Sequence, residues 1–143
     1  MNKVYNQAKG FEVAVIEDNK LINMILSKTL ESTISRIRNL KKIPVKFSSF
    51  RSGTEFLGYL KKKNFVNTKL IVFSDYYLEE KVNGPEILQF VKQNDIDATV
   101  IIMSDTTTKE TSVDTVNMGA HSFLPKDKKT ANAISDIVNQ MVI

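Results

Sequence analysis

The chain has 143 residues, 42% of them hydrophobic and 25% charged, which is ordinary globular composition and enough for one domain with a buried core. It contains no cysteine, which excludes disulfides, thiolate metal sites and a thiol nucleophile and fits a cytoplasmic setting. The net charge of +4 comes from scattered clusters, Lys41-Lys42, Lys61-Lys62-Lys63 and Lys128-Lys129, so a solvated basic surface is expected rather than a nucleic-acid site. Met1 to Gln7 lacks the apolar stretch of a signal peptide, and no apolar run approaches the ~18 residues of a membrane span. Residues 1–10 read as a loose extension and residues 11–143 as one domain.

Phe11 to Ile16 reads as a first strand. Leu21, Ile22, Ile25, Leu26, Leu30, Ile34 and Ile37 then recur at helical spacing. Val45, Phe47 and Ser49 alternate as a second strand. Ser52 and Glu55 have capping-box spacing, and the helix they open carries Phe56, Leu57 and Leu60. It ends at Lys61-Lys62-Lys63, whose charge suits a helix C-terminus. Leu70 to Phe73 is a continuous apolar strand, and Gly84-Pro85 opens a helix with Ile87, Leu88 and Val91 on its inner face. Thr99 to Met103 is another apolar strand. Thr107 to Glu110 offers a second capping box before Val113 and Val116. Ser122 to Leu124 is a short strand, and a final helix carries Ile134, Ile137, Val138 and Met141. Five strands alternating with five helices imply an α/β fold with a parallel sheet and right-handed crossovers. Three of the strands lack polar alternation, as expected when helices cover both faces.

In an open α/β sheet, sites form beyond the carboxyl ends of the strands. Glu17 and Asp18 follow the first strand, Asp75 the third, Ser104 the fourth and Lys126 the fifth. Three carboxylates brought together repel unless a cation holds them, and an all-oxygen donor set suits Mg2+. Lys126 and Ser104 add a counter-charge and a hydrogen-bond donor for a phosphoryl group. The arrangement favours phosphoryl transfer, where catalysis is positioning and charge neutralisation. Each residue has a plainer reading: the acidic pair as a helix cap, Asp75 as a turn residue. The single histidine, His121, reads as an exposed loop residue.

These residues resemble the receiver domains of two-component response regulators. Val13 to Asn19 looks like that family's first strand and acidic pair, and Phe50 to Leu57 like its second strand-to-helix turn. Leu70 to Asp75 is similar to the phosphoacceptor strand, and Asn83 to Leu88 to the glycine-led third helix. Ile101 to Ser104 and Gly119 to Lys126 look like the last two strand signatures. The resemblance spans residues 11–142 and implies a flavodoxin-like strand order 2-1-3-4-5. It implies that Asp75 accepts a phosphoryl group from a histidine kinase or a His-containing phosphotransfer protein. Mg2+ would be held by Asp18, Asp75 and the Tyr77 backbone carbonyl, with Glu17 acting through water. Lys126 would pair with the phosphoryl oxygens. Ser104 and Phe123 would form a switch reporting to a downstream protein on the fourth helix, fifth strand and fifth helix. Such a domain is a signalling module that assists its own phosphoryl transfer and dephosphorylation, without nucleic-acid or membrane binding.

The chain departs from the family pattern at four places. Asp105 replaces a small residue, Asp127 a proline with its usual cis peptide, and Ser74 an apolar or acidic residue. The segment from Asp75 to Gly84 is one residue longer and lacks the common proline. Asp105 and the altered segment favour a second reading, a pseudo-receiver that binds partners without being phosphorylated. A haloacid-dehalogenase-type phosphatase needs a second aspartate two residues after the nucleophile, where this chain has Tyr77.

Overall fold

A computed structural model describes residues 10–78, 82–105 and 116–142. The strands are β1 (Gly10–Ile16), β2 (Val45–Phe50), β3 (Thr68–Asp75), β4 (Ala98–Ser104) and β5 (Ser122–Pro125). The helices are α1 (Lys20–Lys41), α2 (Gly53–Lys62), α3 (Gly84–Gln93) and α4 (Thr130–Met141). Neighbouring strands all pair in parallel, in the order β2-β1-β3-β4-β5, which is the doubly wound order expected. The fourth helix of the sequence reading, with its capping box from Thr107, falls largely outside the described residues, so α4 is the fifth helix of that reading.

Side chains alternate across a strand, and this divides the core into two layers. Val13, Val15, Ile71, Phe73, Ile101 and Met103 face α1 and α4, where Leu26, Leu30, Ile34, Ile134 and Val138 meet them. Ala14, Ile16, Leu70, Val72, Val100 and Ile102 face α2 and α3, where Phe56, Leu60, Ile87, Leu88 and Val91 close the other side. Helices on both faces explain why the central strands carry continuous apolar runs.

The helix boundaries follow local chemistry. Asn19 caps α1 by accepting a hydrogen bond from the Ile22 N–H at 3.0 Å. Ser52 caps α2 through the Glu55 N–H at 3.0 Å. Asn83 and Glu86 form a capping box at α3, with Pro85 in its first turn. The apolar face expected for α1 is narrower than its sequence suggests. Leu21 and Ile25 are 63% and 50% exposed, because the buried stripe runs through Asn23, Leu26, Leu30, Thr33, Ile34 and Ile37. Ile25 instead borders an apolar cavity of about 440 Å³ between α1 and the start of α4.

One buried carboxylate has no counterpart in the sequence reading. Glu12 is 2% exposed and faces α2, where it accepts hydrogen bonds from Tyr59 and from Ser48, the latter at 3.1 Å. Lys63 lies 3.5 Å from it. These partners satisfy a charge that would otherwise be costly to bury.

Candidate functional site

Strand alternation also decides which site side chains meet. Glu17 and Asp75 continue the stripes Val13-Val15 and Ile71-Phe73, on the face toward α1 and α4. Both are removed from water, Glu17 entirely and Asp75 to 6% exposure. Carboxylate oxygens of Glu17, Asp18 and Asp75 lie within 4.8 Å of one another. The Lys126 ammonium reaches this cluster from beyond β5, at 2.7 Å from Glu17 Oε1 and 3.0 Å from Asp75 Oδ2. Asp105, exposed on the rim, places a further carboxylate oxygen 3.9 Å from the same ammonium. Four of the expected residues are therefore brought together: Glu17, Asp18, Asp75 and Lys126.

The cluster is electrostatically uncomfortable. Burial pushes the Glu17 carboxyl up to about 7; Lys126 and the Asn19 N–H pull against this, and the nearby Asp75 charge adds to it. Burial likewise raises Asp75, with Lys126 opposing and the charges of Asp18 and Asp105 reinforcing. For Lys126, burial works against the charge, but Glu17 and Asp75 outweigh it and hold the ammonium above its ordinary range. Glu17 Oε1 sits at ion-pair distance from Lys126, yet it lacks an aligned hydrogen bond and is out of contact with water. A buried acceptor left in that state is poorly satisfied. A small divalent cation bound to oxygen donors fits this set, and nitrogen or sulfur ligands are absent from it.

The loops around the cluster are held by specific contacts. Asn19, not the acidic pair, caps α1, and its N–H donates to Glu17 Oε2 at 3.0 Å. Arg51 donates to the Asp18 carbonyl at 3.0 and 3.2 Å. No peptide bond among the described residues is cis. The turn after Lys126 is closed instead by Thr130, whose hydroxyl accepts from the Asp127 N–H at 2.8 Å and donates to the Pro125 carbonyl at 2.9 Å. The Lys126 N–H donates to the Ser104 carbonyl at 2.9 Å, tying the ends of β4 and β5 together. Gly84 lies against the end of β3: a Cβ there would stand 3.0 Å from the Asp75 carbonyl oxygen and 2.9 Å from Ile102 Cδ1. Its N–H donates to the Tyr76 carbonyl at 3.1 Å, so a larger residue would crowd the Asp75 carbonyl and require Ile102 or the start of α3 to shift.

Ser104 is buried at the end of β4, two residues beyond Ile102, which pairs with Phe123 across the β4–β5 ladder. Ile102, Ser104 and Phe123 thus share one face of the sheet. Phe123 is half-buried against the α2–α3 side of the core. Tyr77 is 58% exposed, and its ring meets Tyr76 edge-on at 4.6 Å. Ser74 is fully buried, its hydroxyl donating to the Asp75 carbonyl at 3.0 Å. His121 is exposed, as expected. Asn23, Arg51 and Thr130 were not among the expected residues. None of the three carries a distinguishing mark in the sequence: Asn23 falls on the buried stripe of α1, but that stripe also holds the polar Thr33.

The sequence model of the response regulator receiver domain matches residues 13–138. No curated protein sequence matches the chain. Among solved structures, the chain is similar to a response regulator receiver domain protein from Clostridium thermocellum, at 22% identity over 92% of this chain and 93% of that one, with a TM-score of 0.72. It is also similar to the receiver domain of a Francisella response regulator, at 18% identity, 92% and 95% coverage, and a TM-score of 0.71. A third, the Mn2+-bound form of response regulator Rcp1, is 15% identical over 91% of this chain and 92% of that chain, with a TM-score of 0.66. At these identities the structures show a common fold.

Proposed function

Because the chain belongs to the response regulator receiver domain family, we propose that it is a phosphorylation-activated signalling switch that accepts its phosphoryl group on Asp75. The donor is a phosphohistidine on a histidine kinase or a His-containing phosphotransfer protein. One observation carries this reading: Lys126 spans Glu17 and Asp75 at 2.7 and 3.0 Å inside a cluster of three carboxylates. That combination supplies a nucleophile, a cation site and a fixed positive charge at one sheet end.

An Asp75 oxygen attacks phosphorus while the bond to the imidazole nitrogen breaks; the nitrogen keeps the bonding pair and takes a proton from solvent. Bound Mg2+ would neutralise the phosphoryl oxygens, held by Asp18, Asp75 and the Tyr77 carbonyl, with Glu17 acting through water. The Mn2+ in the Rcp1 structure supports a divalent ion for a domain of this fold. Lys126 pairs with a phosphoryl oxygen and needs little movement, since it already touches Asp75. Ser104 bonds the phosphoryl group, and Phe123, on the same sheet face, moves inward behind it. The change reaches a downstream protein on the surface formed by β5, α4 and the segment before them.

Asp105 favours a second reading, a pseudo-receiver that binds partners without phosphorylation, because its carboxylate competes for Lys126 at 3.9 Å. Intact-mass measurement after incubation with acetyl phosphate and Mg2+ separates the two. The phosphorylation reading expects a gain of one phosphoryl group, reversed by hydroxylamine. An unchanged mass leaves the pseudo-receiver.

A further inference from the structure

Asn23 lies on the inner stripe of α1, at a position where helical spacing would otherwise place an apolar side chain. It is 7% exposed and uses its whole hydrogen-bonding capacity. The side-chain N–H groups donate to the Glu17 carbonyl and the Phe50 carbonyl, both at 3.0 Å. The side-chain oxygen accepts from Ser27 at 3.0 Å and from Ser49 at 2.7 Å. The Phe50 carbonyl also accepts from the Glu17 N–H at 3.0 Å. Asn23 therefore stitches the end of β2 to the peptide that joins Glu17 to Asp18.

We propose that Asn23 is a positioning residue for the divalent-cation site, holding the backbone of the acidic pair so that both carboxylates face Asp75. The inference rests on the cation site of the proposed function and deepens it. Three carboxylates outnumber the single Lys126 charge among them, and the excess drives the acidic turn outward when no divalent cation is bound. Bonds to the backbone of the turn oppose that drive without occupying a carboxylate oxygen, whereas the Asn19 N–H occupies Glu17 Oε2. Asn23 acts at the Glu17 carbonyl and Arg51 at the Asp18 carbonyl, and both leave the side chains to the metal. Of the two, only Asn23 is buried and locked by partners of its own, Ser27 and Ser49. A carboxamide suits the task because it donates twice in one plane while its oxygen stays anchored.

Calorimetric titration of Mg2+ into the full chain tests this, with wild type, Asn23→Ala and Thr33→Ala compared. Thr33 is buried on the same helix, bonded to the Thr29 carbonyl at 2.9 Å and to Ser135 at 2.6 Å, well away from the acidic turn. Its loss reports general destabilisation of α1. Asn23→Ala is expected to weaken Mg2+ binding at least tenfold, in the range seen for residues that orient ligands from behind. Thr33→Ala should lower the melting temperature and leave the Mg2+ affinity unchanged. If Asn23→Ala does not fold, the double variant Ser27→Ala, Ser49→Ala releases the carboxamide while keeping its donors, and should weaken Mg2+ binding about threefold, below the tenfold to hundredfold loss expected when the orienting group is removed outright. Equal affinity in wild type and the Asn23 variant, or an equal loss in Thr33→Ala, overturns the positioning role. Absence of Mg2+ binding in wild type overturns the cation site itself.

Discussion

The strongest physical consequence of the site concerns stability in the absence of a divalent cation. Glu17 is fully buried, and its carboxyl is raised from 4.5 to about 7, chiefly by burial. A raised carboxyl means that the folded state binds this proton more tightly than the unfolded chain. Stability is therefore greatest at low pH for this group and is lost as pH rises from about 4.5 through 7. At 1.36 kcal/mol per decade, the loss is about 3 kcal/mol by pH 8, an upper bound because Lys126 shares the site. For a domain of this size, that corresponds to a melting temperature lower by about 10 °C. Asp75 is raised as well and acts in the same direction. The assay is thermal unfolding by circular dichroism at pH 5, 6, 7 and 8, in chelator and in excess Mg2+. In chelator the melting temperature should fall across this range. Mg2+ should flatten the slope by holding the carboxylates ionised, and Glu17→Gln should flatten it without metal. A melting temperature that is constant or rises from pH 5 to 8 in chelator would refute the reasoning.

Asp18→Ala should weaken Mg2+ binding at least tenfold, because it removes one of three converging carboxylates; titration yielding the wild-type affinity would remove Asp18 from the metal set. Ser104→Ala should still accept a phosphoryl group but lose much of the change at Phe123, since the missing charge-assisted bond is worth ~1.5–3 kcal/mol. Amide chemical shifts around Phe123, with and without phosphorylation, read this out, and identical responses in wild type and variant would sink the coupling. Tyr77→Ala should shorten the phosphorylated lifetime if its bulky, 58% exposed ring, two residues after the acceptor, covers the phosphoryl group against water. A decay rate unchanged or slowed by the truncation would show that Tyr77 does not shield the group.

Much of this architecture was legible in the sequence because it rests on local, periodic signals. Continuous apolar runs such as Leu70 to Phe73 announced strands covered on both faces, and Ser52 and Gly84-Pro85 marked helix starts. The meeting of Glu17, Asp18, Asp75 and Lys126 was legible because each follows a strand, where an α/β sheet gathers side chains. What escaped depends on contacts between distant segments. Asn23 reads as an ordinary polar helical residue until the Phe50 carbonyl, 27 positions away, is seen to need a donor. Glu12 gives no sign of burial until α2 brings Tyr59 and Lys63 to it. The opposite error occurred at Leu21 and Ile25: helical periodicity counts apolar residues but cannot see where the sheet beneath them ends. The departure at Asp127 also had a compensation invisible in one dimension, the Thr130 hydroxyl that closes the turn.

The central claim is that Asp75 carries the phosphoryl group, and mapping the modified residue tests it most directly. After incubation with acetyl phosphate and Mg2+, borohydride reduction converts an aspartyl phosphate to homoserine, which peptide mass spectrometry locates by residue. The account predicts homoserine at position 75 in wild type and none in Asp75→Asn. Homoserine at another carboxylate, or no conversion in wild type, would contradict it.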